Sequence, residues 1–252
     1  MSKIKVGIVN YLNTAPLIYG LQNGPINNEI ELIPGYPANL ARDLKEGSID
    51  LGLVPVAIIP ELENWFLNGD YCIGSTGRVA SVCIFSEVPL EKVEKVLLDY
   101  QSRTSVELAR ILLKDYWKLT PELVPAWPGY QDQIKGTVAG LVIGDRSFEQ
   151  RLISPYIYDL GEAWKAHSGL SFVFAAWVSN KPLDKDFMEL FNEANAVGLD
   201  NLEEVISRHP YKLFDLHKYY TQCISYILDE PKKKGLERFL HNFAPNLKNQ
   251  HG

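Results

Sequence analysis

An α/β fold in two lobes is what three observations on this sequence predict. Short, nearly continuous apolar segments alternate with helical patterns along most of the 252 residues, the signature of mostly parallel sheets flanked by helices. The chain is long enough for two lobes of roughly 100 residues or more each. One apolar segment, LSFVFAAWVSN (residues 170–180), is too long for a strand of one lobe and is expected to cross back into the other.

Taken in order, residues 3–10 form an apolar run rich in β-branched side chains (Ile4, Val6, Ile8, Val9), and Asn13, Thr14 and Pro16 precede Leu17, Ile18 and Leu21. This is a first strand feeding a helix capped by Asn13 or Thr14. Residues 29–35 predict a second strand, PANLARDLKEG a helix opened by Pro37 and closed by Gly47, and IDLGLVPVAII a third strand. YCIGSTG and SVCIFSEV are two extended segments around the turn GRVA. VEKVLLD then restarts the alternation, and LDYQSRTSVELARILL (98–113) joins a strand ending at Asp99 to a helix whose apolar residues (Val106, Leu108, Ala109, Leu112, Leu113) recur at helical spacing behind a Thr104 or Ser105 cap. Further strands are expected around 123–127, at AGLVIGD and at YIYDLG. Crossings near Phe85 and Ala175 make a two-strand hinge, with 1–86 plus 177–252 as the first lobe and 87–176 as the second. The tail reads as helices packed on the first lobe and interrupted at Pro231, and the run KKK (232–234) as a solvated turn.

Composition narrows the function. A net charge of −6 without a basic stripe argues against nucleic acid as a partner. No apolar run approaches the roughly 18 to 20 residues of a membrane span. The chain opens directly on a strand pattern, and its three cysteines (Cys72, Cys83, Cys223) form no CxxC pair, so a reducing, cytoplasmic setting is expected, with all three buried as small apolar residues. Neither a Walker loop nor a G-x-G-x-x-G is present, and no G-x-S-x-G elbow. His167, His209, His217, His241 and His251 show no metal-ligand spacing. No metal and no cofactor are expected.

What remains is a set of small polar residues at the carboxyl ends of the expected strands, the edge at which α/β sheets bind ligands. They are Asn10 and Asn13 after the first, residues 75–81 around the fourth, Ser102, Thr104 and Ser105 after Asp99, and Gly144, Asp145 and Arg146 after the run LVI. Each alone is an ordinary cap or turn. Together, hydroxyls, amides and a helix N-terminus without His or Cys suit a polyoxygenated carboxylate.

Six segments resemble the chorismate dehydratases of the futalosine route to menaquinone: VNYLNTAPL, IDLGLVPV, GRVASVCIFSEVPL, LDYQSRTSVEL, LVIGDRSF and DLGEAWKAHSGLSFVFAAW, in family order over about the first seven tenths of the chain. The family often has Pro then Arg where this chain has Arg78 and Ala80, and a TGLP-like turn where it has residues 168–171. The sister dihydroxynaphthoate synthases carry a His-Glu pair after the strand that here ends in Ile143, Gly144 and Asp145. The resemblance implies a two-lobed fold like the periplasmic binding proteins of the second type, and loss of water from chorismate without a cofactor. It assigns Ser102, Thr104 and Ser105 to one carboxylate, Ser81 to the other, Asn10 and Gly144 to the substrate pocket, and Asn13 to the ring or its hydroxyl. Asp145 and the substrate's own enolpyruvyl carboxylate are the two candidates for the base. The alternatives are a non-catalytic carboxylate binder on the same fold and the sister synthase.

Overall fold

Eleven strands sort into two sheets in the computed structural model, which describes residues 3–244; His251 lies outside them. The first sheet takes β1 (Ile4–Ile8), β2 (Ile30–Pro34), β3 (Leu51–Pro55), β4 (Phe66–Ser75), β10 (Phe172–Ser179) and β11 (Ser225–Ile227), in the order β11-β4-β10-β3-β1-β2. The second takes β5 (Val82–Ser86), β6 (Lys95–Leu98), β7 (Glu122–Pro125), β8 (Val138–Ile143) and β9 (Tyr156–Asp159), in the order β7-β6-β8-β5-β9. Helices α1 (Ala15–Asn23), α2 (Pro37–Lys45), α3 (Thr104–Ile111), α4 (Arg146–Ile153) and α5 (Leu160–Ser168) connect the strands. The tail adds α6 (Lys185–Asp200), α7 (Leu202–Arg208), the single turn α8 (Leu216–Lys218) and α9 (Glu230–Phe243).

Both sheets are mixed, which corrects the expectation of mostly parallel sheets. β1 pairs in parallel with β2 and β3, and β6 with β7 and β8, as the apolar runs and crossover helices require. β10 runs antiparallel to β3 and β4, β11 antiparallel to β4, and β5 antiparallel to β8 and β9. A strand that returns from the other lobe enters its sheet from the opposite end. Because β5 pairs wholly within the second sheet, the outgoing crossing is at residues 76–81 rather than at Phe85, and the return is at 169–171, just before β10.

Asp159 fastens the outgoing crossing. Its carboxylate caps α5 by accepting the Gly161 and Glu162 N–H groups and also accepts those of Val79 and Ala80, at 2.7 to 3.2 Å. That grip holds Ala80 at a φ of 65°, unusual for a residue with a Cβ.

Two expectations for the tail fail. The expected helix through 218–230 is broken by β11, because Ser225 and Ile227 pair with Gly74 and Tyr71 at the edge of β4. The run KKK is no solvated turn: Asp229 caps α9, Pro231 sits in its first turn, and Lys232 is fully buried with its Nζ 3.1 Å from Asp229. Part of the tail also reaches the second lobe. Phe214 stacks on Phe148 of α4 at 4.5 Å, and Tyr211 and Tyr219 pack edge-on against the same ring. The three cysteines are free and buried. Among the described residues, no helix is long and apolar enough to cross a membrane.

Candidate active site

The carboxyl ends of β1, β3, β6 and β8 face one another across a cleft between the lobes, the place where α/β sheets of this kind bind small molecules. The first sheet supplies mainly apolar surface: Val9, Leu53, Pro55, Ile73 and Phe174. The second supplies Ser81, Gln101, Ser102, Thr104, Ser105 and Gly144, set among Val79, Val82 and Ile143.

Asn13 follows β1 in a 3-10 turn. Its backbone carbonyl accepts the Tyr226 hydroxyl at 2.9 Å, which fixes the residue, and its side-chain Oδ1 is buried at the cleft with no partner among the described residues. A buried amide oxygen without a hydrogen bond costs stability, so this group awaits a donor. Thr14 does not cap α1: its hydroxyl turns back to the carbonyls of Val9 and Tyr11 and tightens the loop that presents Asn13.

The turn after Asp99 is held by a residue two positions before the earlier of the two expected caps. The Ser102 hydroxyl accepts the Ser105 N–H at 3.0 Å, so Thr104 and Ser105 are free of the capping role. Thr104 Oγ1 instead accepts the N–H of Ala57 at 3.2 Å from the facing lobe, which leaves its own hydrogen to donate. Both Thr104 and Ser105 are buried.

Behind this edge lies a network absent from the sequence reading. The Asp99 carboxylate, fully buried, accepts from Arg146 Nη2 at 2.8 Å, from the Tyr130 hydroxyl at 2.9 Å and from the N–H groups of Gln101 and Ile143. Gln101 Oε1 accepts from Arg146 and, across the cleft, from the Tyr11 hydroxyl, each at 2.9 Å. Burial pushes the Tyr11 phenol up to about 12, so it stays a donor. Tyr11 and Gln101 both line the cleft, and neither is among the residues expected from sequence. Their position inside the loops that hold Asn13 and Ser102 is the signal that points to them.

The remaining expected residues separate. Gly144 lines the cleft with φ at 64°, a conformation that favours glycine, but its N–H is spent on the Ser81 carbonyl at 2.8 Å. Ser81 lines the cleft and is almost fully buried. Asp145 stands beside the lining rather than in it, where Oδ1 accepts the Leu12 N–H at 3.2 Å and the backbone carbonyl accepts the Tyr211 hydroxyl. Burial raises its pKa, opposed by the Leu12 N–H and by Arg146. Asn10 and Arg78 are exposed and outside the lining. Among the described residues no group of three or more His, Cys, Asp or Glu is placed to hold a metal ion.

Tyr11–Gln101, Leu12–Asp145, Ala57–Thr104 and an Arg103–Glu61 ion pair at 2.5 Å all join the two lobes. These four contacts bridge the cleft. Among the described residues, the Tyr11 phenol is the one ionisable side chain in the cleft lining. The arrangement can desolvate a ring, hold anionic oxygens with neutral donors, and engage one hydroxyl or amide at Asn13.

The same two-lobed form recurs in solved structures of low sequence identity. A protein from Archaeoglobus fulgidus matches at a TM-score of 0.70 with 15% identity, over 95% of this chain and 96% of its own. A Candida albicans protein described as having the generic periplasmic binding protein fold matches at 0.62 with 14% identity, over 100% and 92%. The alkanesulfonate-binding protein SsuA of Xanthomonas axonopodis, bound to MOPS, matches at 0.64 with 11% identity, over 96% and 91%. These likenesses establish the periplasmic-binding-protein-like fold. By sequence, a chorismate dehydratase of Thermus thermophilus is 28% identical, over 93% of this chain and 93% of its own. Residues 4–244 match the family model described as menaquinone biosynthesis, and the chain belongs to that family.

Proposed function

We propose that this protein is a chorismate dehydratase, a cofactor-independent hydro-lyase that converts chorismate to 3-[(1-carboxyvinyl)oxy]benzoate in the cytoplasm, on the futalosine route to menaquinone. The observation that carries the reading is the cleft lining: hydroxyls and one unpaired amide on a largely apolar wall, with no carboxylate, imidazole, amine or thiol among the described residues that line it.

Such a site suits a substrate that brings its own charges. Thr104, Ser105 and the start of α3 hold one carboxylate, Ser81 a polar group of the other arm, and the apolar wall takes the ring. Asn13 engages the ring hydroxyl. Neutral donors leave a desolvated carboxylate more basic than an arginine would, because no positive charge stabilises its ionised form. The enolpyruvyl carboxylate, folded against the ring, takes the proton from the carbon that bears the ether. The C–H electron pair becomes the third ring double bond, the neighbouring C–O bond breaks, and the departing oxygen receives a proton and leaves as water. Aromatisation supplies the driving force, and closure keeps bulk water from the enol ether.

Asp145 is accordingly a loop anchor that holds the Leu12 N–H across the cleft. The test is incubation of the purified protein with chorismate, followed by ultraviolet absorbance and mass. Appearance of the aromatic product 18 mass units lighter, about one water, supports the reading; chorismate bound tightly and recovered unchanged would leave a carboxylate binder instead.

A further inference from the structure

Tyr219 lies in a tail segment that the fold did not need for the cleft, yet its hydroxyl ends on a cleft residue. The phenol is fully buried, 2.7 Å from Ser81 Oγ and 138 residues away in sequence. It sits on a π-helical turn, Tyr219–Cys223, whose extra residue per turn lets Tyr219 and Tyr220 both face inward. Single π turns of this kind are often retained at functional sites.

The chemistry of the pair fixes a direction. A phenol donates better than it accepts, burial holds Tyr219 protonated well above the ordinary range of tyrosine, and Ser81 Oγ is its acceptor. Ser81 has one hydroxyl hydrogen and two lone pairs. One lone pair is taken by Tyr219, and among the described residues the Ser81 hydroxyl hydrogen has no acceptor. The backbone of Ser81 is pinned as well, its N–H on the Val79 carbonyl and its carbonyl on the Gly144 N–H, both at 2.8 Å. Neither group can turn away.

We infer that Tyr219 is a positioning residue for substrate binding: by donating to Ser81 Oγ it directs the Ser81 hydroxyl hydrogen into the cleft, onto an anionic or ether oxygen of the ligand. The inference rests on the cleft being the chorismate site. Packing of Tyr219 against Phe148 of the second lobe and Phe214 of the tail holds the phenol in place.

The test is a double-mutant cycle of Tyr219→Phe and Ser81→Ala, read as kcat and KM for chorismate, as chorismate affinity by calorimetry, and as melting temperature. Tyr219→Phe removes one oxygen. It is expected to lower kcat/KM about fivefold, the usual scale of one hydrogen bond between neutral groups, with the loss mainly in KM. In the Ser81→Ala background the same change is expected to move kcat/KM by less than about twofold, since residues acting as one unit do not add. Losses that add in full overturn the inference, as does an unchanged chorismate affinity in Ser81→Ala, which decides the matter even if Tyr219→Phe fails to fold. A wild-type protein that binds chorismate without converting it defeats the dehydratase reading alone, and the cycle is then read on affinity; one that does not bind chorismate defeats both.

Discussion

The two walls of the cleft are built on opposite plans. The first-sheet wall is mostly apolar side chains on a packed core, relieved by the loop after β1 that carries Tyr11, Asn13 and Thr14. The second-sheet wall is a row of hydroxyls resting on a buried ion pair, Asp99 with Arg146, tied in by Tyr130 and Gln101. The difference teaches where organisation costs stability. An apolar wall is held by the same burial that folds the protein, whereas a polar wall has to be positioned by groups whose own desolvation is compensated only while every partner is present.

Removal of one partner is therefore expected to damage the second wall most. Asp99→Ala leaves Tyr130, Arg146 and the Ile143 N–H without their shared acceptor, and a loss of about 3 to 5 kcal/mol is expected in urea unfolding, the usual result of breaking a buried charged network. A loss below about 1 kcal/mol, as for a surface pair, would mean that the hydroxyl edge stands without it.

On the first wall the largest effect should be catalytic instead. Asn13→Ala is expected to lower kcat/KM for chorismate about 100-fold, on the scale of removing one preorganised contact to the reacting groups, with little change in melting temperature. Substitution of Thr104 by Val should do both things at once, weakening turnover about tenfold and costing about 1 kcal/mol as the Ala57 N–H loses its acceptor.

The smallest effect is expected at Asp145, which flanks both walls. Asp145→Asn should retain turnover within about threefold of wild type, because a loop anchor keeps its acceptor oxygen whereas a base loses about 100-fold or more. The raised pKa of Asp145 adds a pH signature. Folding favours its protonated form, so this contribution is fully present below the ordinary aspartate value and is lost as pH climbs through the raised one. Relative to Asp145→Asn, wild type should lose stability across that window. Parallel melting curves at stepped pH would reveal it, and two curves that track each other would place the carboxylate in water.

Much of this was legible locally. The apolar runs marked β1, β3, β6, β8 and β10, since burial on both faces leaves a continuous signature. Hydroxyls after Asp99 and the Asn13 loop were found because turn and cap chemistry is written within a few residues. The sites of error were those decided at a distance. Lys232 looks solvated in a run of lysines until Asp229 and the packing of α9 enclose it. Residues 225–227 look helical until the edge of β4 offers a partner. Asn10 is as polar as Asn13, and only the 3-10 turn that follows places one outside the cleft and the other on it.

The α/β alternation, the two-lobed fold and the loops at the carboxyl edge are legible along the chain, because periodicity, caps and turns are properties of neighbouring residues. That the sheets are mixed, that Asp99 and Arg146 underlie the hydroxyl row, and that Tyr219 meets Ser81 emerge only from tertiary packing. Those depend on which surfaces are desolvated together, and a buried polar group is fixed by the partners that can reach it rather than by its neighbours in sequence.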